Sequence, residues 1–367
     1  MHVYIHVPFC ARRCSYCDFA IAVRRDVPSD RFAELVLREW AGWQPHPVWK
    51  RSPRVDTLYF GGGTPSRLAP EAVARIIEQV WSDRGMERGA EITLEANPDD
   101  VTAAAVEAWR AAGVNRVSLG AQSFAPAVLR WMHRTHDAGQ IGKAVELIRG
   151  GGIQELSLDL IFGLPGLLDR DWAADLALAL ALEPDHLSLY GLTIEARTPL
   201  ARWAARGAVT PVDDDRYAAE FLVAHQALGD KGYEHYEVSN YGRGGRRARH
   251  NSAYWRRAPY IGLGPSAHSA MDDERRWNQR EWAVYERRLE EGAPVVEGEE
   301  RLGPQEIRLE ELYLGLRTTD GLPAERVPAD TSGRWIESGW ATVSGGKVRL
   351  TPEGWLRLDA LVASVSG

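Results

Sequence analysis

Six short apolar segments, at residues 2–7, 55–60, 91–96, 115–120, 155–161 and 186–191, alternate with helical patterns at 29–42, 70–84, 102–112, 138–149 and 169–182. Parallel strands need long crossovers, usually helices, so the alternation predicts a parallel α/β sheet. Ser157-Leu158-Asp159-Leu160-Ile161-Phe162 runs apolar almost without a break, as strands covered on both faces do. Pro70-Glu71 suits a helix start and Gly150-Gly151-Gly152 a helix end. Periodicity alone does not say whether the sheet is open or curled, but the polar groups help. The only cysteines follow the first strand and Gly61-Gly62-Gly63-Thr64 the second. Glu95 ends the third, Gln122 follows the fourth, Asp159 lies in the carboxyl half of the fifth, and Tyr190-Gly191 ends the sixth. In a parallel sheet these ends share one rim, where barrel enzymes place their chemistry. The expected shape is a barrel-like cup.

All three cysteines lie within eight residues, as Cys10-x3-Cys14-x2-Cys17. An odd number, so tightly grouped, disfavours a disulfide framework. Iron–sulfur clusters are held by thiolates, and short spacings let one loop reach three corners of a cube. With no fourth cysteine, one iron is left open, and an open position marks a catalytic metal site. A structural zinc site is the alternative, with His6 as a conceivable fourth ligand.

Residues 192–300 break the alternation, with a helix near 213–230, a Gly/Arg-rich loop at 242–249 and then His250-Asn251-Ser252-Ala253-Tyr254-Trp255. From about residue 300 the order helix, helix, hairpin, helix resembles a winged-helix module. Residues 300–367 hold ten acidic residues against eight basic ones, and the chain carries a net charge of −7. A nucleic-acid footprint should be basic, so packing is favoured over DNA binding and no nucleic-acid partner is expected. The first residues lack a secretory pattern and no apolar run approaches the length of a membrane span. The expected compartment is the cytoplasm.

Tyr4-Ile5-His6-Val7-Pro8-Phe9-Cys10-Ala11-Arg12-Arg13-Cys14-Ser15-Tyr16-Cys17-Asp18-Phe19 resembles the signature of the radical S-adenosylmethionine (SAM) family, oxygen-independent coproporphyrinogen III oxidase-like. The resemblance continues through Gly61-Gly62-Gly63-Thr64-Pro65-Ser66, Leu94-Glu95-Ala96-Asn97-Pro98, Gly120-Ala121-Gln122-Ser123-Phe124, His133-Arg134 and Asp159-Leu160-Ile161-Phe162-Gly163-Leu164-Pro165-Gly166. It implies an α/β fold, a partial (β/α)6 barrel at 1–191, a barrel extension at 192–300 with a haem-associated His250 loop, and a winged-helix-like domain at 301–367. It also implies a 4Fe–4S cluster on Cys10, Cys14 and Cys17 with SAM on the open iron. Tyr4 would pack by that SAM and Tyr16 near its adenine. Gly62, Gly63 and Thr64 would meet the methionine part, Glu95 a hydroxyl or amine, and Gln122, Arg134 and Asp159 the region of a second SAM.

Two departures point to the haem chaperone branch of that family. Phe19 stands where the oxidases carry a fourth cysteine, and Cys10 lies close to the start of the chain. The His250-Asn251-x-x-Tyr254-Trp255 segment looks like that branch's haem motif. It implies haem on His250, with Tyr254 and Trp255 as flat faces and Arg243, Arg246, Arg247, Arg249, Arg256 and Arg257 for the propionates. The reading is then haem binding and transfer to acceptor proteins, respiratory ones among them. The cluster and SAM would serve the transfer by supporting a homodimer or a covalent step, and a transient membrane visit stays open. The alternative is an oxygen-independent coproporphyrinogen III oxidase, a decarboxylating enzyme. An RNA-modifying radical SAM enzyme is opposed by the acidic balance.

Overall fold

The computed structural model of the chain describes residues 1–366. The six expected strands are present as β1 (His2–Val7), β2 (Val55–Gly62), β3 (Met86–Ala96), β4 (Arg116–Gln122), β5 (Glu155–Phe162) and β6 (His186–Gly191). They pair in parallel in chain order. Helices Ser29–Trp43, Pro70–Arg84, Ala103–Ala112, Ala138–Gly150 and Trp172–Ala181 run between them. Helix starts follow local chemistry: Pro70 opens one, and Asp137 with Gln140 closes a capping box on another.

Residues after 191 add strands to both edges of this sheet. β7 (Tyr233–Glu237) and β8 (Asn240–Arg243) form an antiparallel hairpin beside β6. β9 (Tyr260–Leu263) lies parallel to β1, followed by antiparallel β10 (His268–Met271), β11 (Glu274–Asn278) and β12 (Val296–Arg301). The result is one open twelve-stranded sheet, β12-β11-β10-β9-β1-β2-β3-β4-β5-β6-β8-β7. The six parallel strands of the sequence reading are one short: β9 is a seventh, too brief to show a period and paired with the far end of the chain.

Successive strand residues face opposite ways. On β1, Val3, Ile5 and Val7 are fully buried in the main apolar core, while His2, Tyr4 and His6 alternate with them toward the cup. Most of the apolar side chains, from Met1 to Val362, belong to one contiguous core, and Leu316, Trp335, Val348 and Trp355 of the last segment are part of it. That segment has the expected order: helices Pro304–Leu316 and Ala329–Glu337, a hairpin of Ala341–Ser344 and Lys347–Leu350, and helix Leu358–Ser366. Among the described residues no helix is long and apolar enough to cross a membrane.

The cup has a floor. Helix Arg249–Trp255 is only seven residues long, and its N-cap Ala248 offers no side-chain cap. Glu91, at the middle of β3, supplies one: its carboxylate accepts from the amides of Arg249 and His250, both at 2.9 Å. His250, expected in a loop, therefore stands in the first turn of a helix docked under the sheet. Glu91→Ala leaves the buried His250 amide and the partly buried Arg249 amide unpaired and should lower stability by about 1–3 kcal/mol, read as a lower thermal midpoint; an unchanged midpoint contradicts this account of the floor.

Candidate functional site

The cysteine loop leaves the carboxyl end of β1 and is closed at its base by a two-residue parallel pair, Phe9–Cys10 with Ala22–Val23. The Ala22 amide donates to the Pro8 carbonyl at 2.7 Å and the Arg24 amide to that of Cys10 at 3.0 Å. The loop's middle is pinned by the Ser15 amide on the Met132 carbonyl (3.3 Å) and the Leu200 amide on the Ser15 carbonyl (2.9 Å). The Thr64 hydroxyl donates to Cys10 Sγ at 3.4 Å, and Arg134 Nη1 to Cys14 Sγ at 3.6 Å. Burial pushes the Cys10 thiol up, and the Cys17 thiol up to about 11. A bound cation would deprotonate them, so loading should release protons.

The donor set fits an iron–sulfur cluster better than zinc. His6 has no nitrogen to give: Nε2 is engaged by the Ala20 carbonyl at 2.9 Å and Nδ1 by the Tyr4 hydroxyl at 3.1 Å. Among the described residues, no three His, Cys, Asp or Glu side chains converge closely enough for a single metal ion. A cube with a thiolate at each of three corners asks for no such convergence. Around the loop, Ser15 Oγ and Arg134 Nε are sealed from solvent with no hydrogen-bond partner among the described residues, an unmet capacity that an occupant could satisfy.

Inside the cup, the Tyr59 hydroxyl donates to Glu95 Oε1 at 2.7 Å and the Gly62 amide to Oε2 at 3.1 Å. The Ser118 hydroxyl donates to Asp159 at 2.9 Å. Burial pushes the Glu95 carboxyl up to about 7; the Tyr59 bond opposes this and the Asp159 charge adds to it. Burial also raises Asp159, against hydroxyl bonds from Ser188, Ser118 and Ser157. Gly62 has φ 108°, and a Cβ there would lie 2.6 Å from the His6 ring. A Cβ on Gly63 would lie 2.8 Å from the Val7 carbonyl. The glycines are thus required by the close approach of β2 to β1, whatever else they meet.

Gln122 takes φ 66° at the end of β4, and Arg134 Nη2 bonds Asn97 Oδ1 at 2.6 Å and the Gly120 carbonyl at 3.0 Å. Tyr16 packs on the small cluster of Val128, Met132, Ile161 and Leu164. The structure therefore gathers Thr64 with Cys10, Arg134 with Cys14, and Tyr4, Glu95 and Asp159 within the cup. Tyr59 was missed, although Thr57, Tyr59 and Gly61 share one strand face by simple alternation. Asn97, in the Leu94–Pro98 motif, ties the end of β3 to Arg134, a role its sequence position does not show.

His250 does not join them. Its Nδ1 is 2.7 Å from the Thr57 hydroxyl and its Nε2 is 2.8 Å from that of Tyr254. The ring stacks 4.9 Å from Tyr59 and is 1% exposed, and burial pushes its pKa down to about 3. It offers iron no free nitrogen in this conformation. The arginines expected for propionates are largely committed as well: Arg246 to Glu155 and Asp185, Arg247 to Glu234 and Asp320, and Arg257 to Glu310.

The sequence pattern of the radical SAM superfamily matches residues 4–179. The heme chaperone HemW of Synechocystis sp. is 38% identical over 336 residues, spanning 89% of this chain and 80% of that protein. The heme chaperone HemW of Mycobacterium tuberculosis is 36% identical over 371 residues, spanning 100% of this chain and 94% of that protein. The chain belongs to the HemW family of radical SAM proteins. That membership implies a 4Fe–4S cluster and SAM as cofactors. The solved structure of coproporphyrinogen III oxidase (HemN) from Escherichia coli matches with a TM-score of 0.81 at 21% identity, over 99% of this chain and 89% of that one. At that identity the likeness speaks to the fold, which is the expected radical SAM α/β architecture.

In this HemW-family chain the folded Glu95 carboxyl titrates near 7 rather than at the ordinary 4.5. A raised carboxyl pKa stabilises the fold below the unfolded value, and that contribution is lost as pH rises through the folded one. Between pH 4.5 and 7 the metal-free wild type should therefore lose a contribution that Glu95→Gln retains, on the order of 2 kcal/mol after allowance for solvent in the cup. Thermal midpoints across that range check it; parallel curves for the two proteins count against the assignment.

Proposed function

We propose that this chain is a haem chaperone that holds a 4Fe–4S cluster on Cys10, Cys14 and Cys17, binds SAM at the open iron, and passes haem to acceptor proteins. The observation that carries the reading is a three-thiol loop at the mouth of the cup, in a chain similar end to end to proteins named heme chaperone HemW. Tyr4, Tyr16, Gly62, Gly63, Thr64 and Glu95 would hold SAM, and Gln122, Arg134 and Asp159 would line the adjoining space. The cluster, when bound, supplies an electron and an open coordination site. The protein's part is to grip three corners, keep the cup polar inside and screen it from solvent outside. Thr64 and Arg134 each direct a proton at a cysteine sulfur. Such donors stabilise thiolate charge and tune a cluster's potential.

Phe19 carries no thiol where the oxidase relatives, by the resemblance above, carry a fourth cysteine, which favours the chaperone over the decarboxylase. Respiratory haem proteins are the acceptors the reading favours.

Two measurements test the proposal. After anaerobic reconstitution, iron and sulfide analysis with electron paramagnetic resonance should report one cluster per chain. Cys10→Ala, Cys14→Ala and Cys17→Ala should each lose most of it; full occupancy in any of them removes that thiol from the ligand set. Purified wild type incubated with haem should retain it through gel filtration. Catalytic formation of protoporphyrinogen IX from coproporphyrinogen III, with SAM and reductant, would replace the chaperone reading with the enzyme.

A further inference from the structure

The concave face of the sheet does not stop at the cup. Tyr260 on β9 is in register with His2 on β1, and the face continues onto β10 and β11. There His268 and Ala270, then Arg275 and Trp277, sit two residues apart and point the same way. Two cavities lie along this face. One, about 270 Å³, opens against the cysteine loop beside Asp18, Phe19 and Gly62. The other, about 410 Å³, lies between β9–β12 and the helices Arg249–Trp255 and Pro304–Leu316. Tyr254, Tyr260 and His268 line both, so the two adjoin along one aromatic wall and are treated together as a cleft.

His268 is unlike His6 and His250, which spend both ring nitrogens inside the fold. It is exposed, and its ring stacks on Trp277 at 5.8 Å and 26°. Among the described residues no hydrogen bond reaches either of its nitrogens. Partial desolvation by its neighbours and then the Arg275 charge lower its pKa, with Glu300 opposing. The ring is therefore neutral near pH 7, the form that binds iron.

The charges along the cleft are unequal. Its outer end carries Asp272, Glu300 and Glu310, and Arg275 there is already paired with Glu300 and Glu310. At the end near the cysteine loop, the Arg280 guanidinium donates to the Asp18 carbonyl at 2.7 Å and, among the described residues, is in no ion pair; the Arg280 amide donates to the Glu297 carboxylate at 3.2 Å, and Asp18 also lines this end. At the outer end three acids face Arg257 and Arg275, both already paired, whereas the inner end offers the unpaired Arg280 guanidinium, so an acid on an apolar disc would find its partner at the inner end. Phe19, 58% exposed, adds an apolar wall there.

Resting on the haem-binding reading above, we infer that this cleft is the haem site, with a ring nitrogen of His268 as axial ligand. The porphyrin would lie across the wall of Tyr254 and Tyr260, with Trp277 backing the His268 ring rather than the macrocycle, and a propionate would reach Arg280. Arg280 touches the cysteine loop through Asp18, so haem and cluster would share one wall of the protein.

The test is a titration of the full-length protein with haemin, followed by Soret absorption. His268→Ala should weaken binding at least about tenfold and shift the band, as expected for loss of an axial ligand. Imidazole added to His268→Gly should restore the wild-type spectrum. Because His268 is exposed, both variants should keep the wild-type thermal midpoint and reconstituted iron content. A His268→Ala protein with wild-type affinity and spectrum overturns this assignment and leaves the chaperone reading standing. So does a folded His250→Ala protein that alone loses haem. Wild type that retains no haem overturns the chaperone reading and this inference with it.

Discussion

β1 is hydrogen-bonded along both edges, and the placement of every candidate group depends on that. Six of its residues pair with β2 and four with β9, all in parallel register. A strand held this way cannot slip by one residue without exchanging its two faces. A slip would send Val3, Ile5 and Val7 into the cup and His2, Tyr4 and His6 into the apolar core. The same pairing brings the end of β2 so close that Gly62 and Gly63 admit no Cβ. The cysteine loop then leaves from a fixed point, and its base pair with Ala22–Val23 turns fourteen residues into a closed ring.

The central sheet was legible because its signals are local. Six short apolar segments, several of them nearly continuous, alternate with helices, two of which start at Pro70 or Asp137. The cysteine spacing was legible for the same reason. What stayed hidden depends on partners far away in the chain. β12 reads Val-Glu-Gly-Glu-Glu-Arg, more a solvated charge run than a strand. It stands because Glu300 meets Arg275 and Arg301 meets Glu274 across the β11 pairing. Helix Arg249–Trp255 is too short to announce itself, and its cap, Glu91, comes from β3. A loop ligand is what the motif suggests for His250, because the helix that lets Tyr254 reach its Nε2 is too short to show and Thr57, on its Nδ1, is 193 residues away.

The cup's interior sets two carboxyls, Glu95 and Asp159, in a space where burial raises both and the Asp159 charge raises Glu95 further. Their hydroxyl partners, Tyr59 and Ser118, donate rather than accept, so the arrangement tolerates charge without requiring it. Such a pair is poised: in the proposed complex, an ammonium group arriving beside Glu95 would draw its proton off, and binding energy would be spent on ionisation already half achieved. The same geometry makes the metal-free cup most comfortable at mildly acidic pH.

The histidine motif and the cleft are parts of one construction. His250 is a neutral ring wedged between the Thr57 hydroxyl on β2 and the Tyr254 hydroxyl. Tyr254, one turn further along the same helix, packs edge-on against Tyr260 at 4.6 Å and lines both halves of the cleft. Holding Tyr254 from below fixes the aromatic wall against which His268 and Trp277 face. A substitution at His250 can therefore disturb a ligand in the cleft without His250 ever touching it. Burial decides between the two histidines: iron needs a free lone pair with open space in front of it, and only His268 has both.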